Sequence, residues 1–238
     1  DQAGILWVGT NDGLFAKMDL AFLTFSTRNG IAGNQINSLL TDRNNNFWIA
    51  TNNGLTRCLP DDILEYKWLP PPITVEDGLL NNESFSLYQD KDGIIWIGSR
   101  EGVSKFDPAS RSSGRKKFVS FPIRKEGGEL QIRSFAEDKN GNLLAGAYNG
   151  GLFIYSDTGF TEYGSRIGLP ANTVFSIISD QKGNLWFGTL DGVFVYTSPD
   201  SGGDGAHMQV INEASGLSSD LVYLMVMDEN EKHLWIGT

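Results

Sequence analysis

Leu185-Trp186-Phe187-Gly188-Thr189-Leu190-Asp191-Gly192-Val193 decides the fold, because the same word returns along the whole chain. It stands as ILWVGTNDGL at residues 5–14, FWIATNNGL at 47–55, IWIGSREGV at 95–103 and LLAGAYNGGL at 143–152, and begins again as LWIGT at 234–238. The anchor residues Trp7, Trp48, Trp96, Leu144, Trp186 and Trp235 lie 41, 48, 48, 42 and 49 positions apart. Ahead of the word sits an alternating apolar segment ending in Asp: INSLLTD, SFSLYQD, IRSFAED, VFSIISD and LVYLMVMD. Arg43-Asn44-Asn45, Lys91-Asp92-Gly93, Lys139-Asn140-Gly141 and Gln181-Lys182-Gly183 join the two. Asn and Gly accept the positive φ of a tight hairpin, so each pair of segments reads as two antiparallel strands. A second turn closes on Gly13, Gly54, Gly102, Gly151 or Gly192. A third strand follows, such as GVFVYTS, and a longer polar link leads to a fourth, such as 118–121 or 160–163.

Four antiparallel strands per repeat of this length, with a recurring Trp, describe the blades of an all-β propeller. No segment sustains helical periodicity. The blades fall at about 34–70, 82–122, 130–164 and 172–213, with partial blades at 1–28 and 219–238, so residues 1–238 form one propeller segment. The Trp row is expected between adjacent sheets, with a neighbour such as Tyr148 filling the room left by Leu144. The inventory reaches about 21 strands, against roughly 20 for a closed ring of five blades and roughly 28 for seven. The chain therefore reads as an incomplete segment of a seven-bladed ring, with five-blade closure as the alternative.

Composition agrees. Glycine contributes 28 of 238 residues, about 12% against a usual ~7%, and there are 18 asparagines. The net charge of −10 repels phosphate backbones and argues against nucleic acid. The single cysteine, Cys58, can form no internal disulfide. No apolar run is long enough to span a membrane. Membrane attachment is expected only through segments outside this stretch.

The pattern D-x-x-G-x-x-W-x-G-T-x-x-G-L, led by G-L-x-x-N, resembles the two-component regulator propeller repeat. Asp90, Gly93, Trp96, Gly98 and Gly102 carry it, as do Asp180, Gly183, Trp186, Gly188 and Gly192. The leading word stands at Gly168-Leu169-Pro170-Ala171-Asn172 and Gly78-Leu79-Leu80-Asn81-Asn82, and more weakly at 30–34 and 216–220. Departures are Ala50 in place of the motif glycine, Leu144 and Ala147 in the fourth unit, a poor leading word at Gly128-Glu129-Leu130, and a longer last turn at 229–232. The resemblance implies the periplasmic sensor region of a bacterial hybrid histidine kinase. Such a receptor responds to a glycan fragment or other small polar molecule, acts as a homodimer in full length, and keeps its kinase in another part of the chain.

Catalytic signals are thin. His207 and His233 are the only histidines, and each reads as a surface or strand residue. No triad, zinc motif or phosphate loop is visible, so no enzyme activity, metal or cofactor is expected. The basic stretch at 111–117 reads as a solvated link. In an antiparallel blade the second turn and the blade-to-blade link share one ring face. That face collects Asn52, Asn53, Arg100, Glu101, Tyr148, Asn149, Arg166 and Asp191. Amides, carboxylates, arginine and an aromatic suit a hydroxyl-rich ligand such as an oligosaccharide, with Tyr148 as its stacking platform. Turn chemistry alone also calls for Asn and Asp. A scaffold without its own ligand, and a propeller hydrolase or lyase, stand as alternatives.

Overall fold

A computed structural model describes residues 5–17, 22–65, 69–109, 118–124, 129–197, 206–228 and 230–238. The stretch 111–117, Gly128 and Glu229, all singled out in the sequence, lie outside these. The chain divides into two compact units, Asp1–Arg124 and Lys125–Thr238.

The first unit holds three sheets. β1 (Leu6–Thr10), β2 (Gly13–Lys17) and β3 (Phe22–Phe25) form one; β4 (Ile36–Thr41), β5 (Phe47–Thr51) and β6 (Gly54–Cys58) form the next. β7 (Ser84–Gln89), β8 (Ile95–Ser99), β9 (Gly102–Phe106) and β10 (Phe118–Pro122) complete a four-stranded blade. The second unit repeats the design. Its first blade is β11 (Gln131–Glu137), β12 (Leu143–Tyr148), β13 (Gly151–Ser156) and β14 (Gly159–Glu162). Its second is β15 (Val174–Ser179), β16 (Leu185–Thr189), β17 (Gly192–Thr197) and β18 (His207–Ile211). The pair β19 (Leu224–Met227) and β20 (Leu234–Gly237) follows. Every pairing is antiparallel between sequence neighbours, as a propeller requires.

The second blade departs from expectation: among the described residues it has no fourth strand. A short helix, α1 (Pro60–Leu64), follows β6, and a single bridge joins Leu55 to Ile73. Pro60 opens the helix where an N–H is not needed, and Asp61 and Asp62 sit in its first turn. Pro70, Pro71 and Pro72 have no N–H to give a ladder, so pairing resumes only at Ile73.

The first hairpin of each blade is organised by its aspartate. Asp42 Oδ1 accepts the backbone N–H groups of Asn44 and Asn46 at 2.9 and 2.8 Å, and Oδ2 accepts the indole N–H of Trp48 at 2.9 Å. Asp90 binds Trp96 at 2.7 Å and Asp180 binds Trp186 at 3.1 Å in the same way. The third turn position takes positive φ at Asn45, Gly93, Gly141 and Gly183. Burial raises the affinity of Asp42 for a proton, but the hydrogen bonds from Trp48, Asn46 and Asn44 outweigh it and hold the carboxyl below its ordinary range. In the last hairpin the longer turn moves Trp235 out of this place. His233 Nδ1 meets Asp228 Oδ2 at 2.9 Å instead, which, with backbone bonds from Lys232 and His233, lowers that carboxyl's pKa.

Blades are joined by three recurring contacts. The motif glycine leaves room for a β-branched residue of the next blade: a Cβ on Gly9 would fall 2.6 Å from Ile36, on Gly146 2.7 Å from Val174, and on Gly188 2.9 Å from Val222. The Ala50 departure is matched at the same place, where the next blade offers the small Ser84 in place of Ile or Val. A serine in the first strand then accepts a backbone N–H from the following blade: Ser38 from Leu87 and Ser176 from Met225, both at 3.2 Å. The glycine N–H of the second turn reaches the link ahead: Gly54 to Asn82, Gly151 to Asn172 and Gly192 to Asp220. Trp48 and Leu144 are fully buried and Trp96 nearly so. Leu144 packs with Ala136, Leu152, Leu185 and Phe187. Tyr148 does not compensate for it; its ring is 39% exposed and lies against Phe175.

Candidate functional site

The repeat's own chemistry must be subtracted before any site can be named. In the second turn the Thr or Ser hydroxyl donates to the glycine carbonyl and accepts the intervening N–H, as Thr51 does with Gly54 at 2.9 Å and Asn53 at 3.0 Å. Thr189 does the same with Gly192 and Asp191. The asparagine that ends the leading word caps the turn seven residues earlier: Asn34 Oδ1 accepts the Thr27 N–H and Asn82 Oδ1 that of Val75, both at 2.9 Å.

In the first unit, Asn52 and Asn53 are exposed on the β5–β6 turn. Asn53 spends its amide on the Ala32 carbonyl at 3.2 Å. Arg100 is half-buried; its Nε donates to Glu83 Oε2, and its guanidinium lies 5.9 Å from the centre of the Phe85 ring. Glu101 is exposed and accepts from Asn81 Nδ2 at 3.1 Å. Arg100, Glu101, Glu83 and Asn81 thus form one charged cluster around the β8–β9 turn.

In the second unit, Asn149 takes φ 52° on the β12–β13 turn; its N–H donates to Thr173 and its amide to the Glu129 carbonyl. Arg166 is exposed in a short 3-10 turn and lies 5.9 Å from the Tyr163 ring centre. Asp191 is exposed, with its N–H held by Thr189. Tyr148 differs from all of these. Its ring stacks on Phe175 at 6.0 Å and 26°, and Phe175 meets Tyr223 at 5.0 Å and 49°.

Phe175 owes its position to a β-bulge. Val174 pairs with Thr189 and Ser176 with Gly188, so Phe175 is the extra residue. The same register shift falls at Asn37 in β4, Phe85 in β7 and Arg133 in β11. A bulge re-aims one side chain without breaking the strand. The strands β4, β7, β11 and β15 therefore each carry one such position, immediately before the recurring serine. Tyr223 holds the matching place ahead of β19. The sequence reading passed over this position, although the residue preceding Ser38, Ser86, Ser134 and Ser176 varies while the serine does not.

Among the described residues no cluster of His, Cys, Asp and Glu could hold a metal ion, and no helix is long and apolar enough to cross a membrane. His207 opens β18 at the surface. Cys58 is buried, and burial, with Asp62 nearby, pushes its thiol up to about 12.

These blades, their shared hairpin and their repeated junctions define an all-β propeller segment. More particularly, the model of the two-component regulator propeller family matches the chain at residues 30–53, 78–101 and 168–191. Among solved structures the chain is similar, over its whole length, to the extracellular domain ascribed to the hybrid two-component system BT3049 of B. thetaiotaomicron, with 25% identity and a TM-score of 0.76. It is similar, again over its whole length, to the corresponding domain of BT4673 from the same organism, with 22% identity and a TM-score of 0.61. It covers 31% and 38% of those two chains, about a third of each. Virginiamycin B lyase from Staphylococcus aureus shares the fold at 14% identity and a TM-score of 0.60, over 89% of this chain and 68% of that one. No curated protein matches the chain.

Proposed function

We propose that the chain is part of the periplasmic sensor region of a two-component receptor, where it binds a small polar ligand and performs no chemistry of its own. The observation that supports this reading best is the likeness of the whole chain to extracellular domains of hybrid two-component systems, combined with the three matched repeats. The acidic balance favours a neutral ligand over a polyanion, and an oligosaccharide fragment is the leading candidate. Asn52, Asn53, Arg100 and Glu101 in one unit, and Tyr148, Asn149, Arg166 and Asp191 in the other, are the candidate contacts. In the full receptor the region works as a homodimer joined to a kinase beyond this stretch. The ties of Asn53 and Asn149 to turn carbonyls favour a second reading, a scaffold that holds partner domains. A thermal-shift screen of the chain against neutral oligosaccharides, amino acids and dicarboxylates separates the two. Saturable stabilisation by one class supports the sensor, since a ligand that binds only the folded chain must raise its melting temperature. No shift from any class moves the scaffold ahead.

A further inference from the structure

Three polar braces fix the β15–β18 blade, and its neighbour in the same unit, β11–β14, lacks all three. In β15–β18 the Trp186 indole donates to Asp180 at 3.1 Å. The Thr189 hydroxyl donates to the Gly192 carbonyl at 2.8 Å and accepts the Asp191 N–H at 3.0 Å. Ser176 accepts the N–H of Met225 at 3.2 Å. In β11–β14, Leu144 stands where the indole would be and Ala147 where the turn hydroxyl would be. The serine is kept as Ser134, but its hydroxyl is buried with no hydrogen-bond partner among the described residues. It lies over the motif glycine, where a Cβ on Gly146 would fall 2.5 Å from it. The second turn is also one residue longer, since Ala147 pairs with Gly151 whereas Thr189 pairs with Gly192. This turn is held from outside instead. Asn149 donates its N–H to Thr173 Oγ1 at 3.1 Å and its amide to the Glu129 carbonyl at 3.2 Å. Both partners belong to links, one leading into β15 and the other into β11.

We propose that the β11–β12 hairpin is a soft element built into the second unit: it opens by itself while β15–β17 stay folded, and the bonds of Asn149 to Thr173 and Glu129 are the latch that sets how often it opens. The inference goes beyond the sensor reading and holds with or without a ligand. A net hydrogen bond shifts an opening equilibrium by about fivefold, so three missing braces shift it on the order of a hundredfold. Packing adds to the difference in the same direction. β12 sets Leu144 and Ala145 where β16 has Trp186 and Phe187, so the hairpin has less apolar surface to hide. Leu144, Ala145, Ala147 and Leu152 are nonetheless fully buried, so the closed form is complete and only its fixings are few. Elements that move in response to a signal are drawn from the least stable part of a fold. A hairpin with its own opening step gives the unit two states, and a molecule that contacts only the latched turn shifts their balance by its preference for the closed one.

The test is native-state hydrogen exchange of the chain in increasing urea below its unfolding transition, read by mass spectrometry on peptides that separate β11–β12 from β15–β16. After correction for intrinsic exchange rates, the ladder amides of β11–β12 should exchange on the order of a hundredfold faster than those of β15–β16, with a weaker dependence on urea because less surface is exposed. Thr173→Val keeps the side-chain shape and removes the acceptor of the latch, and should speed β11–β12 about fivefold further while β15–β16 stays unchanged. Trp186→Phe with Thr189→Ala copies two of the departures into the neighbouring blade, and should speed β15–β16 about twentyfold while β11–β12 keeps its wild-type rate. Equal protection of the two hairpins in the wild-type chain, with one shared urea dependence, would refute the soft hairpin, as would stronger protection of β11–β12. A gap of the expected size that Thr173→Val leaves unchanged would refute the latch.

Discussion

Replacing Asp42 by alanine should destabilise the chain by about 3 kcal/mol, and the repeat supplies its own control. Two of the lost bonds go to the turn N–H groups of Asn44 and Asn46, worth about 0.5–1 kcal/mol each near the surface, where water can replace the carboxylate. The third acceptor serves the indole of Trp48, which is wholly buried and would be left unsatisfied, at a cost of about 1–3 kcal/mol. Asp138 makes matching bonds to Asn140 and Asn142 at 2.9 and 2.8 Å, but Leu144 stands where the Trp would be and has nothing to donate. Asp138→Ala should therefore cost only about 1–2 kcal/mol. Both changes remove one negative charge, so general repulsion cancels in the comparison. Urea unfolding followed by far-ultraviolet circular dichroism measures both, and Trp48→Phe provides the background that removes the indole donor while keeping a ring. On that background Asp42→Ala should cost no more than Asp138→Ala. Equal costs in the wild-type background would refute the claim that the motif aspartate is placed for the tryptophan as well as for the turn.

Ser84→Val should destabilise the Ala50 chain by about 1–3 kcal/mol through overpacking and be largely rescued by Ala50→Gly, which a double-mutant cycle in urea would reveal as a coupling energy. Gly146→Ala should destabilise its unit more than Gly168→Ala, because a Cβ on Gly146 meets Ser134 at 2.5 Å and Val174 at 2.7 Å, whereas Gly168 has open space around it and only its φ of 72° to strain; melting temperatures compare them. Asp42 has its folded pKa below its ordinary value of 3.8. Its stabilisation is thus complete above that value and lost as pH falls through the lower folded pKa, and Asp42→Asn should flatten the acid limb of stability measured from pH 5 downward. Cys58 should resist alkylation at neutral pH in the native chain and react at once in urea, read by mass spectrometry.

The fold was legible because its signals are local. Asp, Gly and Trp at fixed spacing specify a hairpin whichever blade carries them, and the alternation of segments such as INSLLTD sets which face is buried. That the second blade has no fourth strand among its described residues accords with Pro70, Pro71 and Pro72, which have no N–H to give a ladder. The aspartate–indole bond was implied by a spacing of six residues, across a hairpin whose twist returns the ring over the turn. The candidate site was harder to read for a physical reason. Asn and Asp serve both turns and ligands, and only the partner of each amide tells which; the Asn53 and Asn149 amides proved to be tied to backbone carbonyls. The bulge is a relation between two strands, so one strand's sequence does not contain it. Tyr148 reads from the sequence as a platform, but its ring neighbour Phe175 belongs to the next repeat, and their meeting depends on how blades stack.

The central claim, that this propeller senses a ligand for a two-component receptor, is tested most directly in membranes holding the intact receptor. Phosphoryl transfer to its response regulator would be followed with and without the oligosaccharide that stabilises the chain. The account predicts that the sugar changes the rate of transfer in the wild-type receptor. A receptor whose output ignores every ligand that the chain binds would contradict it.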